Sequence, residues 1–251
     1  MTGRVGGVPD VSRPFGHPGA AVIDEQVDEV LKRASRTAHE VEPALLKRVA
    51  DSIHSSLQPV RPLPPTWVLT GALVLICAAV AVAGAARTGF YGIEKLTVSE
   101  RLLIFTTLGI LAWVAGREFV AELIPGSRNR LSPGALLTIA SVALLAVFAL
   151  LFRNYRTEHF VSAGIACLVT GLLLAIPAAL LSWLLMRRGF AVNSVSAGLV
   201  GGALAGLCGV TMLELHCANF QALHVLVWHT AVVSVSAAAG ALLGWALREV
   251  A

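Results

Sequence analysis

The sequence predicts an all-α polytopic membrane protein, with a six-helix transmembrane bundle that follows short cytoplasmic amphipathic helices. Of its 251 residues, 56% are hydrophobic and 14% are charged, whereas about 25% of residues are charged in soluble domains. Six apolar stretches have close to the roughly 20 residues with which an α-helix crosses a bilayer. A proline-rich stretch precedes them. The chain therefore divides into a disordered N-terminus (1–20), amphipathic helices (21–60), a stiff spacer (61–66) and a membrane domain (67–251).

The N-terminal region carries an unpartnered apolar stripe. Residues 1–20 lack periodicity, and helical patterning then runs from Ile23 to a break at His39. Pro43 suits the first turn of a second helix. Its stripe comprises Leu46, Val49, Ala50, Ile53 and Leu57. Such a helix is too small to build a core alone, so it docks on a partner protein, lies on the membrane surface, stays half-folded or forms a solvated stalk.

The six predicted spans cross the membrane alternately. They run approximately over Trp67–Ala86, Leu102–Ile124, Ala135–Phe152, Val161–Met186, Val195–Leu215 and Val225–Leu247. The second is the weakest, because Arg117, Glu118 and Glu122 lie in its last third, where we expect them to reach the inner interface. With the N-terminus inside, eight Lys and Arg residues flank the inner span ends and five flank the outer ends. This bias favours cytoplasmic N- and C-termini.

The fifth predicted span is a small-residue helix. Gly198, Gly202 and Gly206 recur every four residues, and Gly209 belongs to a second such row. In lipid, small residues at this spacing let two helix backbones approach closely. We therefore predict that these four glycines are helix-packing positions.

Reactive side chains gather toward the predicted outer side. His216, Cys217 and His224 follow the fifth span, and Cys167 lies six residues into the fourth, or about 9 Å below its outer end at the helical rise. The two spans are expected to be antiparallel neighbours, so the two cysteines can approach each other; two unrelated packing cysteines fit the pattern as well. His224 and His229 would point roughly 140° apart on a continuous helix, so zinc spacing is not matched.

Most other function classes lack support in the sequence. No P-loop, dinucleotide fingerprint or Ser-His-Asp elbow occurs, and no basic face indicates nucleic-acid binding. We therefore expect neither an enzyme nor a cofactor. Cys77 and Cys208 fall near mid-membrane as single thiols and are assigned to packing. A small transporter, or a membrane redox or metal-binding protein that uses the outer Cys/His group, is the alternative.

Several short motifs resemble the NrsF-type membrane anti-sigma factors, which are negative regulators of extracytoplasmic-function sigma factors. The segment LLKRVADSIHSSLQPVRPLPPTW is similar to the family's cytoplasmic segment that leads into six membrane helices. Leu215-His216-Cys217 after a glycine-rich helix, with Trp228 in the next span, resembles a second family feature. Ala166-Cys167-Leu168, with the later Ile176-Pro177, resembles a third. The resemblance covers roughly residues 43 to 247.

This resemblance implies a bacterial inner-membrane protein that holds a sigma factor away from polymerase until an outer signal arrives. The signal implied is thiol-reactive or metallic. The expected partners are a sigma factor and the lipid bilayer. The expected sigma-binding residues are Leu45, Leu46, Val49, Ile53 and Leu57. The expected sensor residues are Cys167 and Cys217, with His216 and His224 beside them. The identity of the sigma factor, the signal and the oligomeric state stay open.

Overall fold

The computed structural model describes residues 29, 32, 43–56, 64–127, 130–188, 191 and 193–248, without the side chains of 53–56. It has two compact units, Met1–Pro62 and Leu63–Ala251. In the first unit, helix α1 (Pro43–Ser56) begins at the proline that the sequence placed in its first turn. Leu45, Leu46 and Val49 are 47%, 56% and 49% exposed on it. The side chain of Ile53, Leu57, the segment 1–20 and nearly all of the predicted first helix lie outside the described residues.

The described part of the second unit consists of helices joined by loops and contains no strand, which confirms the predicted all-α fold. Its helices are α2 (Thr66–Thr88), α3 (Tyr91–Lys95), α4 (Val98–Leu123), α5 (Pro133–Leu151), α6 (Phe160–Arg188), α7 (Ser194–His216) and α8 (Ala222–Arg248). All except the short α3 are long and apolar enough to cross a membrane, so the described residues contain six candidate spans, as the sequence predicted. One π-helical turn, Val225–His229, interrupts α8 near its start.

Helix α7 lies at the centre of the bundle. In its most apolar stretch 78% of residues are buried, against 22% to 39% in the other five spans. It packs against α8 and α6 and also against α4 and α2. An added Cβ at Gly198, Gly202 or Gly206 would meet the α8 backbone, and one at Gly209 would meet the α6 backbone. The glycine rows thus let α7 contact two helices at backbone distance.

The loops that follow alternate spans meet at one end of the bundle. Nδ1 of His216 lies 3.1 Å from the carbonyl oxygen of Gly89, and Lys95 Nζ donates to the carbonyl of Ala218 at 3.4 Å. The backbone N–H of Ala222 donates to the carbonyl of Asn154 at 2.7 Å. Loops 89–97, 152–159 and 217–221 therefore share one end, opposite the start of α2. We name it the cysteine end.

At the other end of the bundle, Glu118 is buried near the end of α4. It is 4% exposed, and its Oε2 accepts hydrogen bonds from the backbone N–H groups of Arg130 at 2.9 Å and Leu131 at 3.4 Å. Glu118 is thus near the end of the bundle where the sequence placed it, but its carboxylate is buried and paired with backbone donors of a neighbouring loop and does not extend toward water. Glu118 thereby ties the connection between α4 and α5 to the end of α4.

Candidate sensor site

Three helices bring a cysteine and histidine cluster together at the cysteine end. Cys167 lies in α6, near its N-terminal end, and Cys217 is the residue at which α7 terminates. His224 and His229 lie in the first turns of α8. The five-residue loop 217–221 reverses the chain between α7 and α8, so residues distant in sequence converge on one point.

The donor atoms of these four side chains are close to one another. The Sγ atoms of Cys167 and Cys217 are 3.4 Å apart, which is contact distance and longer than the roughly 2.05 Å of a disulfide bond. Nε2 of His224 lies 3.7 Å from Sγ of Cys217. One donor atom from each of the four residues lies within 4.8 Å of all the others. The sequence placed Cys167 about 9 Å below the outer end of its span and Cys217 after the end of the next span. The two cysteines nevertheless lie at the same level, because the ends of neighbouring helices need not be at the same depth.

The π-helical turn overturns the expected divergence of His224 and His229. Backbone hydrogen bonds in a π-turn join residues five apart and not four, so the five-residue spacing places both rings on the same side. Their ring centroids are 5.5 Å apart. The prediction assumed a continuous α-helix and was wrong for this reason. It also left His229 out of the expected sensor residues, although π-turns occur frequently at functional sites.

Glu214 completes the cluster, and sequence reasoning left it out of the sensor set. Its Oε1 lies 2.6 Å from Nδ1 of His229, and both side chains are 0% exposed. Oε2 of Glu214, Nε2 of His229 and Nδ1 of His224 are buried without a hydrogen-bond partner. Buried polar atoms are nearly always paired, so three unpaired atoms in one cluster call for a functional explanation. The available signal was an acidic residue in an apolar span, which by default marks a functional site.

His216 lies beside the cluster and not in it. Its ring packs against Tyr91, with ring centroids 5.8 Å apart, and its Nδ1 contacts the Gly89 carbonyl oxygen. The short helix α3 covers this end of α7: an added Cβ at Gly92 would come within 2.6 Å of the carbonyl oxygen of Glu214. The structure thus gives His216 contacts with the segment around α3, and the cluster takes its second imidazole from His229.

A cleft of about 640 Å³ reaches the two thiols. Its walls include Tyr91, Thr170 and Asn219, together with both cysteines. Cys167 is partly exposed and Cys217 is buried. The hydrogen bond with Cys167 and the burial raise the pKa of the Cys217 thiol above its ordinary value, while the His224 imidazole acts in the opposite direction. Small solutes therefore have a route to a thiol pair that is mostly screened from water.

The other two cysteines lie deep inside the bundle, away from this cleft. Cys77 and Cys208 are both buried, and the Cys208 thiol donates to the carbonyl of Cys77 at 3.2 Å. They join α2 and α7 within the apolar core. Among the described residues, neither has an imidazole hydrogen-bond partner of the kind that Cys217 has in His224, which makes them natural controls for the cluster.

One comparison with known proteins gives a match. The family model for NrsF, described as negative regulator of sigma F, matches residues 54–248. No curated protein and no solved structure gives a match. The matched region holds all six spans and every residue of the cluster. The chain therefore belongs to the NrsF family.

Proposed function

We propose that this member of the NrsF family is a membrane-bound anti-sigma factor, which sequesters a sigma factor through its N-terminal segment and releases it when a signal reaches the cysteine cluster. The family assignment over residues 54–248 carries the regulatory role, because the family's description is negative regulation of a sigma factor. Beyond that role, we propose sequestration as the mechanism, a cytoplasmic N-terminal segment as the sigma-binding part, and the cysteine cluster as the place where the signal acts.

The exposed stripe of α1 supports a role in partner binding. Leu45, Leu46 and Val49 are each about half exposed on a helix with two basic residues, Lys47 and Arg48, beside them. Burying apolar side chains of this size gains roughly 1.5–3 kcal/mol each. The sequence extends the stripe to Ile53 and Leu57. A partner helix or groove on the sigma factor would supply the burial.

The position of the cluster supports sensing on the outer side. It lies at the cysteine end, opposite the start of α2, and the Lys and Arg bias of the sequence favours a cytoplasmic position for that start. Helix α7 runs from the cluster to the other end of the bundle. A signal at the cluster can control the sigma-binding side only if the bundle has two states whose equilibrium the signal biases.

We propose regulation and not catalysis for the cluster. Cys217 and His224 have the composition of an activated thiol–imidazole pair, but they are only 6% and 0% exposed, so a bulky substrate has little access. The regulatory description of the family favours the same choice. A small reactive species or a metal ion suits this degree of burial better than a polymeric or bulky substrate does.

The full-length protein, extracted from native membranes in mild detergent, provides the test. We expect it to copurify with a sigma factor, and we expect Leu46→Asp with Val49→Asp to abolish that copurification. A charge buried at the contact costs several kcal/mol unless it is paired. Transcription from promoters of the recovered sigma factor should rise in cells that carry the double variant.

Arg48→Asp is the matched control, because at about 100° per residue residue 48 lies about 160° around α1 from residue 46 and about 100° from residue 49, outside the stripe. It introduces the same type of residue and the same total change in charge as the double variant, but it should keep the sigma factor bound. Both variants should be found in the membrane in normal amounts. Equal sigma recovery from the double variant and the control would contradict the role of this stripe.

A further inference from the structure

We propose that Cys167, Cys217, His224 and His229 bind one divalent cation of the zinc class, and that this cation is the ligand of the sensor site. The binding site itself follows from the geometry of the four side chains. Its regulatory consequence rests on the proposed anti-sigma function, and the two are tested separately below.

The donor set has the composition of a tetrahedral zinc site. Two thiolates and two imidazoles are the ligands of a common closed zinc site, with Zn–S about 2.3 Å and Zn–N about 2.0–2.1 Å. Tetrahedral angles at those bond lengths place the two sulfurs about 3.8 Å apart, and the observed separation is 3.4 Å. All four donor atoms lie within 4.8 Å of one another. The most distant pair includes a nitrogen, for which the tetrahedron requires a separation of about 3.4–3.6 Å, so this pair has to close by up to about 1.4 Å.

The hydrogen bond to Glu214 prepares His229 as a ligand. An ionised carboxylate only accepts hydrogen bonds, so Nδ1 of His229 donates to Oε1 of Glu214 and the Nε2 atom remains for a second partner. That Nε2 atom is buried without one. Metal-binding histidines typically donate their other ring nitrogen to a carboxylate, which fixes the tautomer and raises the basicity of the ligand. A cation at Nε2 therefore accounts for both the Glu214 contact and the unpaired nitrogen.

The charge of the site favours a divalent cation. Two deprotonated cysteines carry two negative charges, and burying uncompensated charge is costly. A divalent ion neutralises both thiolates and leaves only the Glu214 carboxylate charged, which is hydrogen-bonded to His229, whereas a monovalent ion leaves a thiolate charge uncompensated as well. The soft sulfur ligands disfavour Mg²⁺ and Ca²⁺, which prefer oxygen ligands. The cleft along Tyr91, Thr170 and Asn219 gives the ion a route to the thiols.

The first experiment measures metal content. Full-length protein purified in detergent is stripped with a chelator, reloaded with Zn²⁺, desalted and analysed for zinc per chain. We expect one zinc in the wild-type protein and a loss of at least tenfold in affinity for Cys167→Ser and for His229→Asn. Cys77→Ser and His159→Asn change the same residue types outside the cluster and should retain one zinc. A wild-type protein that binds no zinc, or equal binding by all variants, overturns the site.

Two further measurements guard against variants that merely fold badly. Co²⁺ in place of zinc should give the absorption bands of a tetrahedral site with thiolate ligands, and His229→Asn should change those bands in protein that remains monodisperse. Glu214→Gln should bind zinc about 10- to 100-fold more weakly, as loss of an orienting partner does, while the saturated protein still holds one ion and keeps the tetrahedral spectrum. An unchanged dissociation constant for Glu214→Gln contradicts its positioning role.

Sigma binding is measured afterwards on zinc-loaded and zinc-stripped protein. A difference of at least tenfold in sigma affinity between the two forms supports the cation as the regulatory ligand. One bound zinc without any change in sigma affinity overturns the regulatory part and keeps the site. Failure of the anti-sigma proposal is seen independently, as the absence of a sigma factor from wild-type protein in either form.

Discussion

Gly206→Ala should destabilise the bundle, because Gly206 is where α7 and α8 touch through their backbones. A Cβ atom at this position would lie 2.6 Å from the Cα of Val233 and 3.1 Å from the Cβ of Ser236. Carbon atoms in favourable contact are about 3.5–4.0 Å apart. The new methyl group is therefore about 1 Å too close to a backbone atom, which cannot rotate away as the end of a side chain can.

The size of the effect follows from two opposing contributions. Extra methyl groups in a well-packed interior cost typically 1–3 kcal/mol, while replacing glycine by alanine within a helix gains up to about 1 kcal/mol. We therefore expect a net loss of roughly 1–2 kcal/mol in the free energy of unfolding. Gly109→Ala is the matched control, since a Cβ there has no neighbour within 4 Å. It should be neutral or stabilising by up to about 1 kcal/mol.

Reversible unfolding of both variants in mixed micelles, followed by circular dichroism, measures the difference. The loss at Gly206 should exceed that at Gly109 by roughly 1–3 kcal/mol. If Gly206→Ala is as stable as Gly109→Ala, the helices are not packed at backbone distance, and the role assigned to the glycine rows of α7 is wrong. A loss shared equally by both variants would indicate a general effect of the substitution and would refute the same reasoning.

Three further outcomes are expected. Glu118→Ala should lower the free energy of unfolding by about 1–3 kcal/mol, because two backbone N–H groups lose their acceptor, and Glu118→Gln should lose less; equal losses would show that the acceptor is unimportant. Single cysteines placed at Arg156 and Arg188, in a background without native cysteines, should react with a membrane-impermeant reagent from opposite sides, and labelling from the same side would refute the six-span topology. The rate of Cys217 alkylation in metal-free protein should continue to rise with pH beyond the pH at which the rate for an ordinary thiol levels off, because its raised pKa means that the reactive thiolate forms only at higher pH. A rate that levels off where an ordinary thiol does would contradict this.

The spans were predictable because crossing a bilayer requires length and apolarity, and both are visible in the sequence. The main boundary difference is in α4, which begins at Val98 and not near Leu102. Thr97 and Glu100 form a capping box there, and its polar residues extend the helix beyond the apolar window on which the prediction relied. The short helix α3 was missed for a related reason: five residues of mixed polarity carry no periodic signal.

The cluster was only half predictable. Its cysteines and His224 could be placed at one end by counting spans, since alternate loops share a side of the membrane. His229 joins the cluster because of the π-turn at Val225–His229. The spacing of apolar residues does not reveal that a helical turn contains one extra residue, so this contact could not be predicted. The hydrogen bond from His229 to Glu214 joins two different spans, so it required the packing of α7 against α8 before it could be seen.

The same packing limits how a signal can travel from the cluster. Gly198, Gly202 and Gly206 place α7 against the α8 backbone along most of its length, so the two helices cannot approach further without a clash. Bringing the most distant donors together by up to about 1.4 Å around a cation therefore has to shift α8 along α7, rotate it, or move α6, which carries Cys167. Tightly packed interfaces shift between discrete arrangements and do not deform continuously. We thus expect binding at the cysteine end to appear at the opposite end as a shift of whole helices. We also expect the Gly206→Ala variant, whose added methyl group would push against the α8 backbone, to weaken the coupling between zinc and sigma affinity. If the effect of zinc on sigma affinity is unchanged in that variant, α8 is not the helix that moves, and α6 is the remaining candidate.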